Sequence, residues 1–392
     1  MLGRRAFRRG VSTVLDHTLG LSEDQKALQE AALQFARTEI KPHAREWNDK
    51  KIIPLEALTK AANLGFAGVY SEEKYGGSGL GRLDGSIIFE ALATGCPNFT
   101  GFLTVQNMCN RMICDLGNDS QKEKWLPALN TLQIFASYCL TEPNSGSDAG
   151  SLATTAVSKG DDFVLNGSKV FITGASQSDI YLTMCRTGAK EISCVVVPKD
   201  APGLSFGKDE AKMGWHTHPT TTVMFQDCKV PKCNLLGAQG YGFKAALKGL
   251  AGGRINIASC SLGGAWSALE RSLQYMSERK QFGKLLKEFQ HLQFQAADCA
   301  TELTASRLLV REAARMYDAR DPQANVYSSM AKRYATEACY KIADVAIQLH
   351  GGYGYLKEYE VERLARDLRV HRILEGTNEI MRVIIARDLF GA

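Results

Sequence analysis

The chain has 392 residues, 45% of them hydrophobic and 23% charged, with a formal net charge of +5. These values exclude a disordered or fibrous protein, leave room for two or three domains and give no reason to expect nucleic acid as a partner. No uninterrupted apolar run reaches the eighteen or so residues that a membrane-spanning helix needs.

The first twenty residues contain four arginines, several hydroxyl residues and Asp16 as their one acidic residue. They lack the apolar segment of a secretory signal. This composition is typical of a mitochondrial transit peptide, so residues 1–20 predict a location in the mitochondrial matrix. The alternative is a basic N-terminus that carries no targeting function.

Residues 21–134 are expected to form a helical domain. Apolar residues recur at helical spacing from Leu21 to Trp47, with Ser22 as a candidate N-cap, and the pattern returns after residue 82. The intervening loop "SEEKYGGSGLGR" does not complete the dinucleotide-binding motif G-x-G-x-x-G, because Arg82 occupies the third glycine position.

Residues 135–241 change to strand-like patterns. Asn166 and Gly167 stand between two strand-like runs and predict a hairpin turn. The segments "EISCVVVPKD" and "TTTVMFQDCKVP" are further strand candidates. We therefore expect an antiparallel β domain.

Residues 242–392 return to long helical patterns, which indicate a helical bundle. One helix should end at Gly351 and Gly352. The predicted architecture is thus α+β, with a helical domain, a β domain and a helical bundle in that order.

The eleven cysteines form no C-x-x-C pair and show no regular spacing. Cys228 and Cys233 make the closest group, but no histidine stands at a suitable ligand spacing. We expect reduced, mostly buried thiols and no metal site.

Three segments combine residue types suited to a bound nucleotide. The loop 138–151, "YCLTEPNSGSDAGS", offers hydroxyls and backbone N–H groups to a phosphate or a polar ring edge, or forms an ordinary turn. Phe171 and Thr173 share a face of a predicted strand, where they contact a planar ring or pack across strands. Arg279 and Gln290 suit a phosphate and an adenine edge, or lie in solvent.

Glu375 lies in "HRILEGTNEIMR", between Leu374 and Gly376. Thr377 is a candidate N-cap for the following helix, and Glu379 would lie in its first turn, where a negative charge is favourable. Glu375 therefore occupies a joint between two helices. It is either a solvated loop carboxylate or a buried carboxylate that acts as a base.

Together these segments resemble the acyl-CoA dehydrogenases. The match covers about residues 20 to 390. It is carried by motifs in that family's order and spacing, namely "YCLTEPNSGSD" (138–148), "FIT" (171–173), "GGRIN" (252–256), "RKQFG" (279–283), "QLHGGYGY" (348–355) and "EGTNEI" (375–380). The resemblance implies FAD as cofactor, a homotetramer of three-domain subunits, and an electron-transferring flavoprotein as the electron acceptor.

The resemblance makes Glu375 the catalytic base. A carboxylate in an apolar pocket has a raised pKa and is a stronger base than one in water. Some relatives carry their glutamate just before the arginine of the "GGR" segment. Here that position is Gly253, which has no side chain, so the role falls to Glu375.

The resemblance also implies two sets of binding residues. The set for FAD is Tyr138, Cys139, Leu140, Thr141, Glu142, Pro143, Asn144, Ser145, Gly146, Ser147, Phe171, Ile172, Thr173, Arg279, Phe289, Gln290, Gln348, Leu349, His350, Gly351, Gly352, Thr377, Asn378 and Glu379. The set for acyl-CoA is Ser147, Ala251, Gly252, Gly253, Arg254 and Arg387. In the family, the part of the FAD set from Arg279 to Gly352 comes from a neighbouring subunit. Ala251 and His350 depart from the family's usual residues.

The implied reaction is the α,β-dehydrogenation of an acyl-CoA, with Glu375 removing the α-proton while the β-hydride passes to flavin N5. The segments "IFEALATGC", "ASYCLTEP" and "GRINIASCSLG" look most like the branch of the family that converts isobutyryl-CoA to methacrylyl-CoA in valine catabolism. Alternatives are a 2-methylbutyryl-CoA or straight short-chain substrate, an acyl-CoA oxidase, and a non-catalytic acyl-CoA-binding protein.

Overall fold

The computed structural model describes residues 17–391, so most of the predicted targeting segment lies outside the described residues. Ser22 caps the first helix, as predicted, because its side chain accepts a hydrogen bond from the backbone N–H of Gln25. The N-terminal helices are α1 (Glu23–Phe35, continued by a π-helical turn, Ala36–Ile40), α2 (Ala44–Lys50), α3 (Leu55–Asn63), α4 (Arg82–Ala93), α5 (Pro97–Leu116) and α6 (Asp119–Asn130).

The middle of the chain forms one eight-stranded sheet. Its strands are β1 (Ala136–Cys139), β2 (Thr155–Lys159), β3 (Asp162–Thr173), β4 (Ile180–Arg186), β5 (Ile192–Pro198), β6 (Leu204–Phe206), β7 (Thr220–Pro231) and β8 (Leu235–Leu236). The order is β6-β7-β3-β2-β4-β5-β8, with β1 paired to β4. The predicted β domain is confirmed. Its pairing is mostly antiparallel, but β1 and β4 run parallel, as does the single pair that joins β2 to β4.

The hairpin predicted at Asn166 and Gly167 is wrong. Both residues lie inside β3, and the chain turns earlier, between β2 and β3. The Asn166 side chain pairs with Asp227 of β7, and the register shifts between Leu165 and Gly167. A Cβ atom on Gly167 would lie 2.5 Å from Thr154 Oγ1. The Asn-Gly pair therefore forms a bulge at a close backbone approach.

The C-terminal part is a helical bundle, as predicted. Gly351 ends its third long helix with a φ of +59°, a conformation that favours glycine. The helices are α7 (Gly242–Glu278), α8 (Gln290–Asp318), α9 (Ala324–His350), α10 (Val361–Arg369) and α11 (Asn378–Phe390), with a small hairpin, β9 (Lys280–Gln281) and β10 (Lys284–Leu285), between α7 and α8.

The two helical parts share one apolar core. Ile88 of α4, Leu103 of α5, Ile255 of α7 and Val310 of α8 all belong to the same buried cluster. This shared core fixes α7 between the N-terminal helices and the bundle, where it carries the "GGR" segment. Over residues 17–391, no helix is both long enough and apolar enough to cross a membrane.

All eleven cysteines are free, and ten of them are buried. Cys233 is the exposed one. The expectation of mostly buried, unpaired thiols is confirmed.

Candidate active site

The joint that carries Glu375 follows a short 3₁₀ turn, Val370–Arg372, and precedes α11. Glu375 and Gly376 both have positive φ angles, +58° and +90°. A positive φ is costly for a residue with a side chain and often marks a functional position. The Thr377 side chain accepts a hydrogen bond from the N–H of Ile380, so the predicted cap is confirmed.

The Glu375 carboxylate packs against α7 at Gly253. Its Oε2 atom is buried and has no hydrogen-bond partner among the described residues. A Cβ atom built on Gly253 would lie 2.4 Å from this oxygen. The carboxylate therefore occupies the space that any other residue at position 253 would fill. Although the residue as a whole is only half-buried, the oxygen that would take a proton is shielded from water, unlike that of a solvated joint.

Burial raises the pKa of Glu375 from its usual value to about 7. The positive charges of Arg254, Lys332 and Arg82 oppose the rise but do not cancel it. Because a carboxyl group in this setting changes its charge near neutral pH, it is suited to accept a proton from a weakly acidic carbon.

Lys332 of α9 lies directly beneath the joint and was not singled out from the sequence. Its Nζ donates to the carbonyl of Gly376 at 2.7 Å and to Asn378 Oδ1 at 2.9 Å. Burial lowers the pKa of Lys332 to about 7, although the charge of Glu375 counteracts this. The available signal was a lysine on the buried stripe of a helix, where lysine is rare.

Arg254 is buried and faces α9. Its Nη1 donates to Asn325 Oδ1 at 2.9 Å and to Ser329 Oγ at 3.2 Å, while its Nε has no partner within residues 17–391. The predicted contact between Arg254 and the substrate stays a prediction, as does that of Arg387, which is exposed on α11. Ala251 is buried on α7 and contributes only a methyl group.

Arg82, the first residue of α4, is a third buried basic residue near the base. Its guanidinium lies 3.8 Å from the centre of the Tyr70 ring, and its Nη1 donates to Asn256 Oδ1 at 3.2 Å. A Cβ atom on Gly252 would lie 2.5 Å from its Nη2. The two glycines of the "GGR" segment thus make room for different groups, Arg82 at Gly252 and the Glu375 carboxylate at Gly253.

A cleft of about 640 Å³ opens between the β domain and the start of α7. Three of its lining residues, Arg186, Lys190 and Lys244, carry positive charge; the others are Gly150, Ala189, Ile192, Gly240 and Phe243. None of these cations was predicted from the sequence, where each is an isolated charge. The fold alone brings them together.

The first part of the predicted FAD set is assembled by the β domain. The backbone N–H of Val170 donates to the Thr141 carbonyl, and the Ser137 hydroxyl donates to that of Thr173, so the loop 138–147 lies beside the end of β3. Pro143, Asn144, Gly146 and Ser147 are exposed, and a Cβ atom on Gly146 would meet no described residue within 4 Å other than its chain neighbours. This exposed rim leaves room for a bound group.

The end of β3 is irregular, however. Phe171 has a φ of +59° and the register shifts between Lys169 and Ile172. Ile172 is nevertheless buried, with the exposed Phe171 and the half-buried Thr173 on either side of it. Phe171 is 68% exposed, so its ring remains available to a ligand.

Several members of the set are buried instead. The Glu142 carboxylate is held by Lys169 and by two backbone N–H groups, and Cys139, Leu140, Ser145 and Ile172 lie in the interior. A ligand would reach these residues only through backbone atoms.

The second part of the set lies at the end of the bundle. His350 stacks on Tyr275 of α7, with ring centroids 4.5 Å apart, and Arg279 lies over the Tyr353 ring. These contacts bring the end of α9 to the turn that contains Arg279, Phe289 and Gln290. Arg279, Gln290, Gln348, Gly351 and Gly352 are exposed, and apart from chain neighbours no described residue comes within 4 Å of a Cβ built on either glycine.

Leu349 and His350 are buried, and His350 Nδ1 bonds to the carbonyl of Ala346. Of the three residues predicted after the joint, Asn378 is buried and bonded to Lys332 and Thr336, whereas Thr377 is half-buried and Glu379 exposed.

Comparison with known proteins covers nearly the whole chain. The N-terminal, middle and C-terminal domain models of acyl-CoA dehydrogenase match residues 22–133, 137–228 and 240–390. The chain belongs to the acyl-CoA dehydrogenase family. The family and the fold predicted from the sequence motifs are thereby confirmed.

This acyl-CoA dehydrogenase is also similar to individual relatives over most of its length. It is 53% identical over 385 residues to the mitochondrial isobutyryl-CoA dehydrogenase of Bos taurus, covering 97% of this chain and 92% of the relative. It is 52% identical over 393 residues to the mitochondrial isobutyryl-CoA dehydrogenase of Dictyostelium discoideum, covering 99% of this chain and 94% of the relative. The structure of butyryl-CoA dehydrogenase from Megasphaera elsdenii matches with a TM-score of 0.91 at 36% identity, over 95% of this chain and 99% of that one.

Proposed function

We propose that this acyl-CoA dehydrogenase oxidises isobutyryl-CoA to methacrylyl-CoA with Glu375 as the base. The observation that carries the proposal is the buried, unpaired Glu375 carboxylate against Gly253. The choice of substrate is supported by the relatives from Bos taurus and Dictyostelium discoideum, both of which are named isobutyryl-CoA dehydrogenases.

The chain's own residues prepare the base in two ways. Exclusion of water raises the proton affinity of the carboxylate. The positive charges of Arg254, Lys332 and Arg82 limit this rise, so that the group can still lose its proton near neutral pH. Glu375 Oε2, to which no donor among the described residues bonds, is the atom that takes the α-proton. Bound FAD would supply the acceptor for the hydride that leaves the β-carbon. A non-catalytic binding protein would gain nothing from a buried carboxylate held in this state.

FAD fits the exposed rim of the β domain. The loop 138–147, Phe171 and Thr173 would hold the flavin, with the buried members of the set contributing backbone groups. The group at the end of the bundle, from Arg279 to Gly352, would hold the adenine half of an FAD bound to a neighbouring subunit of a homotetramer. Arg279→Ala should then lower the FAD content of the purified protein without loss of helix content. Unchanged FAD content would contradict the shared site.

The CoA part of the substrate suits the cationic cleft. Arg186, Lys190 and Lys244 present three positive charges, which phosphate groups favour. Lys244 and Gly253 are nine residues apart on α7, a separation of about 14 Å along a helix axis. An extended thioester arm laid along α7 would thus join the cleft to the base. Lys190→Met combined with Lys244→Met should raise KM with little change in kcat.

A panel of acyl-CoA substrates tests the assignment. Purified protein should be yellow, and isobutyryl-CoA should bleach the flavin absorbance without oxygen. We expect isobutyryl-CoA to exceed butyryl-CoA in kcat/KM, with 2-methylbutyryl-CoA as the nearest competitor. One methyl group in an apolar pocket accounts for roughly 10- to 200-fold at most. A preference for octanoyl-CoA would refute the proposed substrate, and folded protein that takes up no FAD would refute the reaction.

We propose an electron-transferring flavoprotein as the acceptor and the mitochondrial matrix as the location. The mitochondrial relatives and the arginine-rich N-terminal sequence support the location. Turnover that needs such a flavoprotein, with slow reoxidation by oxygen alone, would separate a dehydrogenase from an acyl-CoA oxidase.

A further inference from the structure

Lys332 is a buried cation whose hydrogen-bond partners are both neutral. The residue has no exposed surface, and its Nζ donates to the Gly376 carbonyl and to Asn378 Oδ1. An ammonium group has three protons to donate, so two of them are directed at the segment that immediately follows Glu375. Neither acceptor neutralises the charge.

A buried charge is costly unless an opposite charge compensates it. The carboxylate with the largest effect on Lys332 is that of Glu375, followed by those of Glu379 and Glu337, while Arg254 repels it. His371 also feels the Lys332 charge, but burial keeps this imidazole neutral. The compensation for Lys332 thus comes mainly from a carboxylate that it does not touch.

We propose that Lys332 is a positioning residue for Glu375, which holds the left-handed joint through Gly376 and Asn378 and keeps the carboxylate ionised through its charge. This inference rests on the proposed role of Glu375 as the base. Lys332 would act at two levels, since its hydrogen bonds fix the backbone that carries the base and its charge sets the proton affinity of that base.

The electrostatic contribution can be tested separately from the hydrogen bonds. Lys332 lowers the pKa of Glu375, which burial raises to about 7. Loss of the Lys332 charge should therefore raise the pKa of Glu375 further, even though Arg254 and Arg82 remain nearby. The pH below which activity falls should move upward, because a larger part of the enzyme would then carry a protonated base.

Three variants of the holoenzyme test the proposal. Lys332→Met removes the charge and both hydrogen bonds, Lys332→Arg keeps the charge, and Thr336→Val is the matched control. The Thr336 hydroxyl bonds to the same Asn378 side chain but carries no charge. For each variant, kcat/KM for isobutyryl-CoA is measured from pH 5.5 to 9.5.

In Lys332→Met we expect the acidic limb of the profile to move up by about one pH unit, with roughly a tenfold loss of kcat/KM at pH 6.5 and partial recovery at pH 9. Lys332→Arg should keep the limb of the wild type, and so should Thr336→Val. An unmoved limb in folded Lys332→Met would overturn the proposal, as would an equal shift in Thr336→Val. If Lys332→Met does not fold, a shifted limb in Lys332→Arg would overturn it instead.

Thermal unfolding supplies a readout that does not depend on activity. The pKa of Lys332 is about 7 in the folded protein and near 10.5 when exposed. Between these values the unfolded chain binds more protons, so Lys332 makes the wild type more stable as pH rises. The melting temperature of Lys332→Met, relative to the wild type, should fall between pH 7.5 and 9.5. If this trend appears but the wild type oxidises no acyl-CoA, the proposed function fails and the assignment of Lys332 as a buried lysine with a lowered pKa stands.

Discussion

Glu142 and Glu375 are both glutamates with buried carboxylate oxygens, yet they occupy opposite kinds of site. In the β domain, Glu142 accepts hydrogen bonds from Lys169 Nζ at 2.7 Å and from the backbone N–H groups of Ala153 and Thr154. At the helical joint, Glu375 Oε2 has no hydrogen-bond donor among the described residues. The cations near Glu375 act on it without direct bonds.

The difference changes the direction of the pKa shift. Burial raises the pKa of both carboxyl groups, but hydrogen bonds from Lys169, Thr154 and Ala153 outweigh it and hold the pKa of Glu142 below its usual value. Burial prevails at Glu375 and raises the pKa to about 7. Hydrogen-bond donors, rather than burial alone, therefore separate a structural carboxylate from one that can accept a proton.

The largest expected effect is the loss of stability in Lys169→Met. The variant leaves Glu142 buried without its cation, and breaking a buried ion pair costs about 3–5 kcal/mol in the free energy of unfolding. Urea unfolding measures the loss. Lys159→Met, at an exposed lysine of β2, is the control and should stay within about 0.5 kcal/mol of the wild type. Equal stability of the two variants would contradict the structural role of Glu142.

A smaller effect, a loss of kcat, is expected when a methyl group is added beside the Glu375 carboxylate. In Gly253→Ala the new methyl group would take the space of Glu375 Oε2, and the flexible carboxylate would move rather than the helix. A displacement of about 1 Å at a reacting group can cost on the order of 100-fold in rate. We expect kcat to fall by about 10- to 100-fold with KM nearly unchanged. Unaltered kcat would show that the carboxylate position does not matter.

Glu375→Gln should also change the dependence of stability on pH, separately from its effect on the reaction. The pKa of Glu375 is about 7 in the folded protein and 4.5 when unperturbed. The folded wild type binds more protons in this window, so it loses stability as pH rises from 4.5 to 7. The Gln variant lacks this loss and should exceed the wild type by about 3 kcal/mol at pH 8 but not at pH 4.5. Parallel stability curves would mean that Glu375 is not desolvated.

Local sequence patterns were sufficient to predict the helix ends in the C-terminal bundle. The cap at Thr377 and the helix end at Gly351 depend on neighbouring residues, so short-range patterns predicted them correctly. The position of Glu375 in a joint followed from the same patterns. Its role as the base came from resemblance to the family, because no local pattern distinguishes a buried loop carboxylate from a solvated one.

Contacts between distant residues could not be predicted in this way. The partners of Glu142 and Glu375, Lys169 and Lys332, lie 27 and 43 residues away in sequence, and only the packed fold brings them near. The Asn-Gly pair at 166 and 167 failed as a hairpin signal for the same reason, since pairing with β7 overrides the local turn preference. The cations of the cleft likewise come from separate segments.

The most direct test of the account is rapid, anaerobic mixing of FAD-loaded Glu375→Gln with isobutyryl-CoA. The substituted side chain keeps its size but cannot accept the proton, and loss of a general base costs on the order of 10²–10⁴ in rate. We predict that the variant binds the substrate and perturbs the flavin spectrum, while flavin reduction slows by at least about 10²-fold. Reduction at a rate near that of the wild type would contradict the account and would mean that another group removes the proton.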